Sequence, residues 1–381
     1  MQVIRTKEQT EQQFYDSRYV ISHSKKTVTT YRSAINHFKK FIKTEYEFDE
    51  TELIKKIKTG ELDVYNILIQ FIIYLDKINL SPRGMRSYLS GVKGYLRTFG
   101  VRINSDDYRQ LVKIPRVVRT KETPVTKEMI LQNLHVSSPK LKTAVIVSIA
   151  SGVRLGEMVQ LKLSDIDFNT NPTKITIRGN TSKGRATRET FLTAEATNAL
   201  KNYLKKYFDW KEGEKNDHLQ DTYIFWKISK SKKSSENTPI FDTENAKQSL
   251  QISLRQHIEK IPELNIKNEN GLNAVHFHAF RKFFRTTVGN ACGRDFSEAL
   301  LGHAFYMDTY YILSDEQKRK MYLDAEPHLT ISDTQAVEKN LKTLSSKYNN
   351  LETKVDDLLQ YLRTNSIQVP GHLINKKTSW I

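Results

Sequence analysis

The sequence predicts a mainly α-helical protein with a small β-sheet. It would consist of a helical domain, a mixed α/β domain and a carboxyl-terminal coiled-coil helix. Three observations support this fold class. Apolar residues recur at helical spacing in the amino-terminal third, an alternating segment at 174–193 is typical of a β-hairpin, and an apolar 3/4 repeat runs through residues 337–362.

Composition points to a globular protein that binds a polyanion. The 381 residues are 38% hydrophobic and carry a formal net charge of +17, enough chain for two or three domains. Such a basic excess indicates nucleic acid as the commonest partner. The single Cys292 can form neither an intramolecular disulfide nor a thiolate metal site.

Membrane insertion and secretion are not predicted. The longest stretches without a charged residue are twelve residues, for example 64–75, which is shorter than a bilayer span. The amino terminus lacks the apolar segment of a secretory signal. We therefore expect a cytoplasmic protein, associated with the nucleoid when bound to DNA.

Residues 1–113 predict a helical DNA-binding domain. Segments 24–44 and 64–75 each carry an apolar face at helical spacing. Residues 81–120 hold nine basic and two acidic side chains. Four of these basic residues would lie mostly along one side of a helix and contact phosphates: Arg83, Arg86, Lys93 and Arg97. The alternative is an ordinary solvated basic face.

Residues 114–124 then predict an extended basic linker, because they contain two prolines and the DNA-contact candidates Arg116 and Arg119. A mixed α/β domain follows over 125–330. It contains a buried helix candidate at 140–150 and two strands within 174–193 joined by a polar turn at 182–184. Thr193 predicts the amino-terminal cap of the next helix.

The last fifty residues predict a coiled coil at 331–365 and a tail at 366–381. The apolar stripe is spaced alternately by four and three, and comprises Val337, Leu341, Leu344, Tyr348, Leu351, Val355, Leu358 and Leu362. In a parallel dimer, Lys347 would face Glu352 of the second chain. The alternative is one long amphipathic helix folded back on the α/β domain.

Four segments in the α/β domain contain polar residues that helix or strand formation does not require. They are SGVRLGEMVQLKLSDID (151–167), TSKGRATRETF (181–191), HAFRKFFRTT (278–287) and LLGHAFYMDTYY (300–311). Their order is Arg, Lys, His-x-x-Arg, Gly-His and then Tyr. Together they resemble the boxes of the tyrosine recombinases of the phage integrase type. The segment from Tyr310 to Ile331 further resembles integrases of archaeal mobile elements.

The resemblance implies a set of catalytic residues: Arg154, Lys183, His278, Arg281, His303 and Tyr311. Two guanidinium forks, from Arg154 and Arg281, can neutralise the charge that builds on the phosphate without a metal, so we expect no metal and no cofactor. His303 would donate to a phosphate oxygen, Lys183 would protonate the departing 5′ oxygen, and His278 would assist proton transfer at the tyrosine.

Tyr310 and Tyr311 both follow His303 at a shorter distance than in the family pattern. Tyr311 is the predicted nucleophile, because Met307 precedes it by four residues as in segments of the family, and Tyr310 is the alternate. Glu157 is expected to be a buried partner of an arginine or of a helix start. His276 is expected to make a separate contact. Arg185 and Arg188 are expected to contact phosphates beside Lys183.

The function implied is that of a site-specific DNA recombinase that integrates mobile-element DNA through a 3′-phosphotyrosyl intermediate. The partners would be double-stranded DNA with two recombination sites and further copies of the chain, forming a tetramer on DNA. Two alternatives remain: a DNA-relaxing enzyme like type IB topoisomerases, and a catalytically silent DNA-binding protein of the same fold.

Overall fold

The computed structural model describes residues 10–117, 121–182, 184–226, 241–269, 271–303 and 313–332, together with residues 351, 353–355 and 364. The chain divides into two compact units, Met1–Arg119 and Thr120–Ile381. The division falls within the segment predicted to be a linker. Within the described part of the chain, no helix is long and apolar enough to cross a membrane.

The first unit is helical. Its helices are α1 (Glu11–Ser22), α2 (Lys25–Tyr46), α3 (Glu50–Thr59), α4 (Val64–Lys77), α5 (Pro82–Thr98) and α6 (Ser105–Leu111). Side chains of the preceding residues cap them: Ser24 accepts from the Thr27 amide, and Asp49 accepts from the Glu52 amide. Phe38, Phe41 and Phe71 are buried at the centre of this unit, with aromatic ring centroids 5.1–6.1 Å apart.

The second unit combines helices with one small sheet. Its elements are α7 (Lys127–Val136), α8 (Pro139–Ser151), α9 (Leu155–Met158), β1 (Ile166–Asp167), β2 (Thr173–Ile177), β3 (Arg188–Leu192), α10 (Ala194–Phe208), α11 (Thr243–Ile258), α12 (Phe277–Cys292), α13 (Arg294–Leu301) and α14 (Asp315–Leu329). Short 3-10 turns lie at Leu163–Asp165, Asp217–Leu219 and Pro262–Leu264.

The sheet is antiparallel with strand order β1, β2, β3. Thr173 pairs with Leu192 at one end of the β2/β3 hairpin, and Ile177 pairs with Arg188 at the other. Alternate residues of β2 are buried, as expected for a strand with one face on the core. This register places Arg188 at the start of β3, beside the hairpin turn.

Helix α8 lies at the centre of the second unit and is almost entirely buried. It contacts α10, α12 and β3. A second apolar cluster joins α12, α13 and α14, and includes Phe284, Phe296 and Tyr322. The Tyr322 hydroxyl donates to the Ala150 carbonyl at 2.7 Å. The end of α8 is thereby fixed to α14, while its contact with α12 places it against the helix that carries the third sequence box.

The helices expected at 24–44, 64–75 and 140–150, the hairpin within 174–193 and the Thr193 cap are all confirmed. The mainly α fold class with a small sheet is confirmed as well. Five predicted features lie outside the described residues: Arg119, Lys183, the tyrosines Tyr310 and Tyr311, most of the coiled-coil segment, and the tail at 366–381.

Candidate active site

The site begins at Gly152, which caps the carboxyl end of α8 in the left-handed conformation, with φ +62°. Glycine is required here for two reasons. A residue with a side chain rarely adopts this φ. In addition, a Cβ atom at this position would lie 2.4 Å from Phe284 and 2.7 Å from Leu301. This close approach brings the backbone of the first box against α12 and α13.

Arg154 follows as the cap residue of α9 and is the more accessible of the two predicted phosphate-binding arginines. Its Nη1 donates to Glu157 Oε1 at 2.9 Å, and its amide donates to Glu157 Oε2 at 2.9 Å. The same Nη1 lies 3.5 Å from the Leu301 carbonyl. The side chain is 29% exposed, so part of the guanidinium can reach a ligand.

Glu157 is buried and is confirmed as a partner of an arginine and of a helix start. Besides Arg154, it accepts from Arg188 Nη2 at 2.6 Å and from Arg188 Nη1 at 3.1 Å. Burial opposes ionisation of Glu157, but the hydrogen bonds and charges of Arg188 and Arg154 outweigh it and lower the pKa of this carboxyl. Glu157 is therefore an anion at neutral pH.

Arg188 does not occupy the surface position expected of a phosphate contact. Its side chain is only 9% exposed. Its Nε donates to the Leu300 carbonyl at 3.0 Å, while its other nitrogens bind Glu157. The expectation that Arg188 contacts DNA is corrected, because the strand register turns it inward onto a buried carboxylate. Arg188 joins β3, α9 and α13 instead.

Arg281 lies on the second turn of α12 and is buried, with 4% of its surface exposed. Its Nη1 donates to the Gly152 carbonyl, and its Nη2 donates to the Leu301 carbonyl at 2.7 Å. Burial, and next the charge of Arg154, lower the pKa of Arg281 to about 9. The group remains a cation at neutral pH, and two backbone carbonyls hold it in place.

His303 follows Gly302, which ends α13 at φ +64°. A Cβ on Gly302 would lie 2.4 Å from Arg188 Cδ, so glycine also allows this close approach. The His303 side chain is 40% exposed. Its Nε2 lies 3.1 Å from Arg281 Nη2, and its Nδ1 contacts Glu298 Oε2.

His278 and His276 occupy separate positions at the start of α12. His276 Nδ1 contacts the Asn273 carbonyl at 2.9 Å and is the cap residue of the helix, so its separate contact is confirmed. The His278 ring is exposed. Its partial removal from water, followed by the charges of Lys282, His276 and Arg281, lowers its pKa, whereas Glu122 raises it. His278 is therefore neutral at pH 7 and able to accept a proton.

The structure thus brings together Arg154, Arg281 and His303. Both arginines donate to the Leu301 carbonyl, and His303 contacts Arg281 directly. The sequence reasoning missed Glu298 and the inward position of Arg188. Glu298 had one detectable signal, its position five residues before His303 on the helix that leads into the Gly-His box. The described residues contain no group of three His, Cys, Asp or Glu side chains that could hold a metal ion.

The hairpin turn carries Arg185, which is exposed with φ +54°. Gly179 allows the two arms of this turn to approach, since a Cβ there would lie 2.9 Å from the Arg185 carbonyl oxygen. Ser182 Oγ donates to the Ala186 carbonyl at 3.1 Å. Lys183 itself lies outside the described residues, so its role stays a prediction.

In the first unit, the four basic residues of α5 differ in exposure. Arg83, Arg86 and Arg97 are exposed, although Arg97 Nη2 also donates to the Ile103 carbonyl at 2.8 Å. Lys93 is half-buried, and its Nζ lies 4.1 Å from the centroid of the Tyr108 ring. Arg116 is also exposed. The arginines are therefore more available to a polyanion than Lys93.

Comparison with known proteins identifies the class. Residues 123–316 match the phage integrase family. This match spans half of the chain and includes Arg154, Arg281 and His303. The chain therefore belongs to the phage integrase family, the tyrosine recombinases.

Two curated relatives carry the name tyrosine recombinase XerC. The protein from Chlamydia caviae is 26% identical over 196 residues, which cover 47% of this chain and 60% of that protein. The protein from Staphylococcus epidermidis is 27% identical over 203 residues, which cover 51% of this chain and 56% of that protein. The chain thus spans less than two thirds of the length of the curated relatives it matches.

Among solved structures, a lambda integrase dimer bound to a COC′ core site has a TM-score of 0.50 with this chain. The sequences are 12% identical, and the alignment covers 83% of this chain and 78% of the other. At this identity the likeness concerns the fold alone.

Proposed function

We propose that this protein is a site-specific DNA recombinase that cleaves and rejoins DNA through a 3′-phosphotyrosyl intermediate. The observation that carries the proposal is the convergence of Arg154, Arg281 and His303 around the Leu301 carbonyl. Cations fixed by backbone carbonyls and buried carboxylates are suited to an anion whose charge grows in the transition state. A phosphodiester under nucleophilic attack is such an anion.

In this mechanism Tyr311, or Tyr310 as the alternate, attacks the scissile phosphate. Arg154 and Arg281 neutralise the non-bridging oxygens, and His303 donates a further hydrogen bond. His278 accepts the tyrosine proton, since its lowered pKa keeps the ring neutral before the reaction. Lys183 gives a proton to the departing 5′ oxygen. One ester replaces another of similar energy, so ATP is not needed.

The partners proposed are two DNA duplexes, each with a recombination site, and further copies of this chain. Exposed Arg83, Arg86, Arg116 and Arg185 would contact phosphates. Arg97 is exposed as well, with one nitrogen on the Ile103 carbonyl, whereas Lys93 is half-buried over the Tyr108 ring and would contribute less. The domain organisation that we propose has five parts. They are an amino-terminal domain (1–113), a linker (114–124), a catalytic domain (125–330), a coiled coil (331–365) and a tail (366–381). Assembly as a tetramer, association with the nucleoid and origin in an archaeal mobile element also stay proposals.

A suicide substrate with a nick near the cleavage position tests the reaction. We expect the wild-type chain to form a covalent DNA adduct that is stable in denaturant, because the nicked strand diffuses away before religation. Tyr311→Phe should abolish the adduct and Tyr310→Phe should retain it. The reverse pattern would assign the nucleophile to Tyr310, and the absence of a wild-type adduct would refute the proposed cleavage.

Strand exchange between two marked duplexes separates recombination from simple DNA relaxation. A recombinase yields joint products that carry both marks, whereas an enzyme that only relaxes DNA rejoins each duplex to itself. We expect joint products. A chain that forms the covalent adduct but never exchanges strands would fit the relaxing activity instead.

A further inference from the structure

Glu298 is a buried carboxylate in contact with the site, and its side chain is 6% exposed. Its Oε2 contacts His303 Nδ1, and its Oε1 accepts from Arg285 Nε at 2.6 Å. Burial raises the pKa of Glu298, but the hydrogen bonds from His303 and Arg285 outweigh this effect and keep it below the usual glutamate value. Glu298 is thus ionised at neutral pH and can only accept hydrogen bonds.

The opposite edge of the His303 ring meets a group that can only donate. Arg281 Nη2 lies 3.1 Å from His303 Nε2, and a guanidinium has no acceptor. Two neighbours therefore specify the same neutral tautomer, with the proton on Nδ1 and the lone pair on Nε2. Among the described residues, the other charged groups around this pair include the cations Arg285 on α12, Arg294 at 4.0 Å from Glu298, Arg154 at the Leu301 carbonyl and Arg188 beside Gly302. The buried carboxylate of Glu157 pairs with Arg154 and Arg188.

We infer that Glu298 is a positioning residue for the reaction proposed above, and that it fixes the ring plane and tautomer of His303 so that Nε2 faces the phosphate site. The inference rests on that proposed function. When a phosphate engages Arg281, Nε2 is released from the guanidinium and takes up a proton from the solvent. The ring then donates from Nε2 to a phosphate oxygen, while Glu298 stabilises the resulting imidazolium.

A purely structural role does not account for this residue. Helix α13 presents Phe296, Leu300 and Leu301 to the interior, and an apolar residue at position 298 would bury at lower cost. Arg285 has no need of the carboxylate, because its side chain is 43% exposed and water can solvate it. Within the described residues, the contact that Glu298 supplies to the site is the acceptor for His303 Nδ1.

The test follows the His303 tautomer and the rate of DNA cleavage in the full chain. Nitrogen-15 labelling of histidine distinguishes the two tautomers, and loss of signals in His303→Asn assigns the resonance. We expect the Nδ1-protonated form in the wild-type protein. Glu298→Gln offers the ring either an oxygen or an amide donor, so both tautomers should appear. Adduct formation should slow by about 10-fold with DNA affinity unchanged, less than the loss of a whole donor would cost.

Asp165→Asn is the matched control. Asp165 is also a buried carboxylate, 7% exposed, which accepts from the Lys162 amide at 2.8 Å and pairs with Arg178 at 3.0 Å. Asp165→Asn should change neither the His303 tautomer nor the rate of adduct formation. An Nε2-protonated His303 in the wild-type protein would overturn the inference whether or not Glu298→Gln folds. Unaltered cleavage in a folded Glu298→Gln would overturn it too. If the wild type forms no adduct, the proposed function fails, yet the tautomer still decides the role of Glu298.

Discussion

At the scale of single residues, buried carboxylates hold the cationic side chains of the site in place. Glu157 holds Arg154 on one side and Arg188 on the other, from a position 2% exposed. Removing one partner of a buried ion pair leaves the other charge without compensation. We predict that Glu157→Gln lowers the free energy of unfolding by about 3 kcal/mol, measured by urea denaturation at neutral pH.

Glu212→Gln provides the exposed counterpart. Glu212 also accepts from two cations, Lys201 at 2.6 Å and Lys205 at 2.7 Å, but its side chain is 48% exposed. Water can replace both contacts, so its loss should matter far less. Equal destabilisation by the two variants would contradict the importance of burial at Glu157.

Glu157 also predicts how the free energy of unfolding depends on pH. The pKa of Glu157 in the folded protein lies below the ordinary value of 4.5. Its stabilising contribution is therefore fully present above that value and is lost as the pH falls through the folded pKa. The difference in unfolding free energy between wild type and Glu157→Gln should stay constant above pH 4.5 and shrink below it. A difference that grows on acidification would refute this assignment.

At the scale of elements, the end of α8 sets the geometry of Arg281. Ala at position 152 would have to adopt φ +62° and would press its Cβ against Phe284 and Leu301. Backbone strain of about 1 kcal/mol adds to overpacking of about 1–3 kcal/mol. We predict that Gly152→Ala destabilises the protein by about 2–4 kcal/mol and slows adduct formation, since the Gly152 carbonyl anchors Arg281.

Gly213→Ala separates the effect of backbone strain from that of overpacking. Gly213 has φ +76°, but nothing lies within 4 Å of a Cβ built there. Gly213→Ala should lower the free energy of unfolding only by the backbone strain, about 1 kcal/mol, and should keep full cleavage activity. If both variants behaved alike, the contact with Phe284 would not be the reason for glycine at 152.

Helix α5 makes a separate prediction for DNA binding. Each phosphate contact that is lost should reduce the dependence of log K on log salt concentration by about 0.9. We expect this reduction for Arg83→Ala and for Arg86→Ala, because both side chains are exposed. Lys93→Met should leave the slope unchanged, since Lys93 lies over the Tyr108 ring. Binding titrations at several salt concentrations measure this slope. A reduced slope in Lys93→Met alone would show that Lys93, rather than Arg83 or Arg86, contacts phosphate.

What the sequence could predict depends on the range of the interactions. Thr193 as a cap and the helix at α8 follow from neighbours within four positions, and both were predictable. The pairing of Glu157 with Arg188 joins residues 31 positions apart, and it depends on the register of β3 against β2. The family motif located Arg154, Arg281 and His303, but no periodicity distinguishes an arginine that contacts phosphate from one that binds a buried carboxylate.

At the scale of the whole molecule, the carboxyl-terminal segment begins at a fixed point on the second unit. Glu195 accepts from the amides of Ile331 and Ser332 at 2.8 and 3.0 Å, and Glu326 in turn accepts from the Ala194 amide. Lys127 Nζ donates to the Thr330 carbonyl at 2.8 Å. A truncation that tests the coiled coil should therefore keep Ser332, because an earlier end would also remove these contacts and the buried Ile331.

Self-association through the apolar stripe predicts the behaviour of point variants in the full chain. Leu351 and Val355 belong to the stripe and are 64% and 44% exposed in the single chain. Burying such residues against a second chain is favourable by about 1.5–3 kcal/mol for each side chain that becomes fully covered. A lysine at either position would introduce charge into that contact. We predict that Leu351→Lys and Val355→Lys weaken self-association by at least about 10-fold, measured by sedimentation equilibrium without DNA.

Ile21→Lys is the control for this experiment, because Ile21 is 68% exposed on α1 and lies outside the stripe. It should leave the association constant unchanged. Both stripe variants should still form the covalent adduct, since they leave Arg154, Arg281 and His303 and the contacts at Ser332 intact. A chain that sediments as a monomer before any substitution would exclude the coiled coil as the means of assembly, and any tetramer would then have to form through surfaces of the two units on DNA.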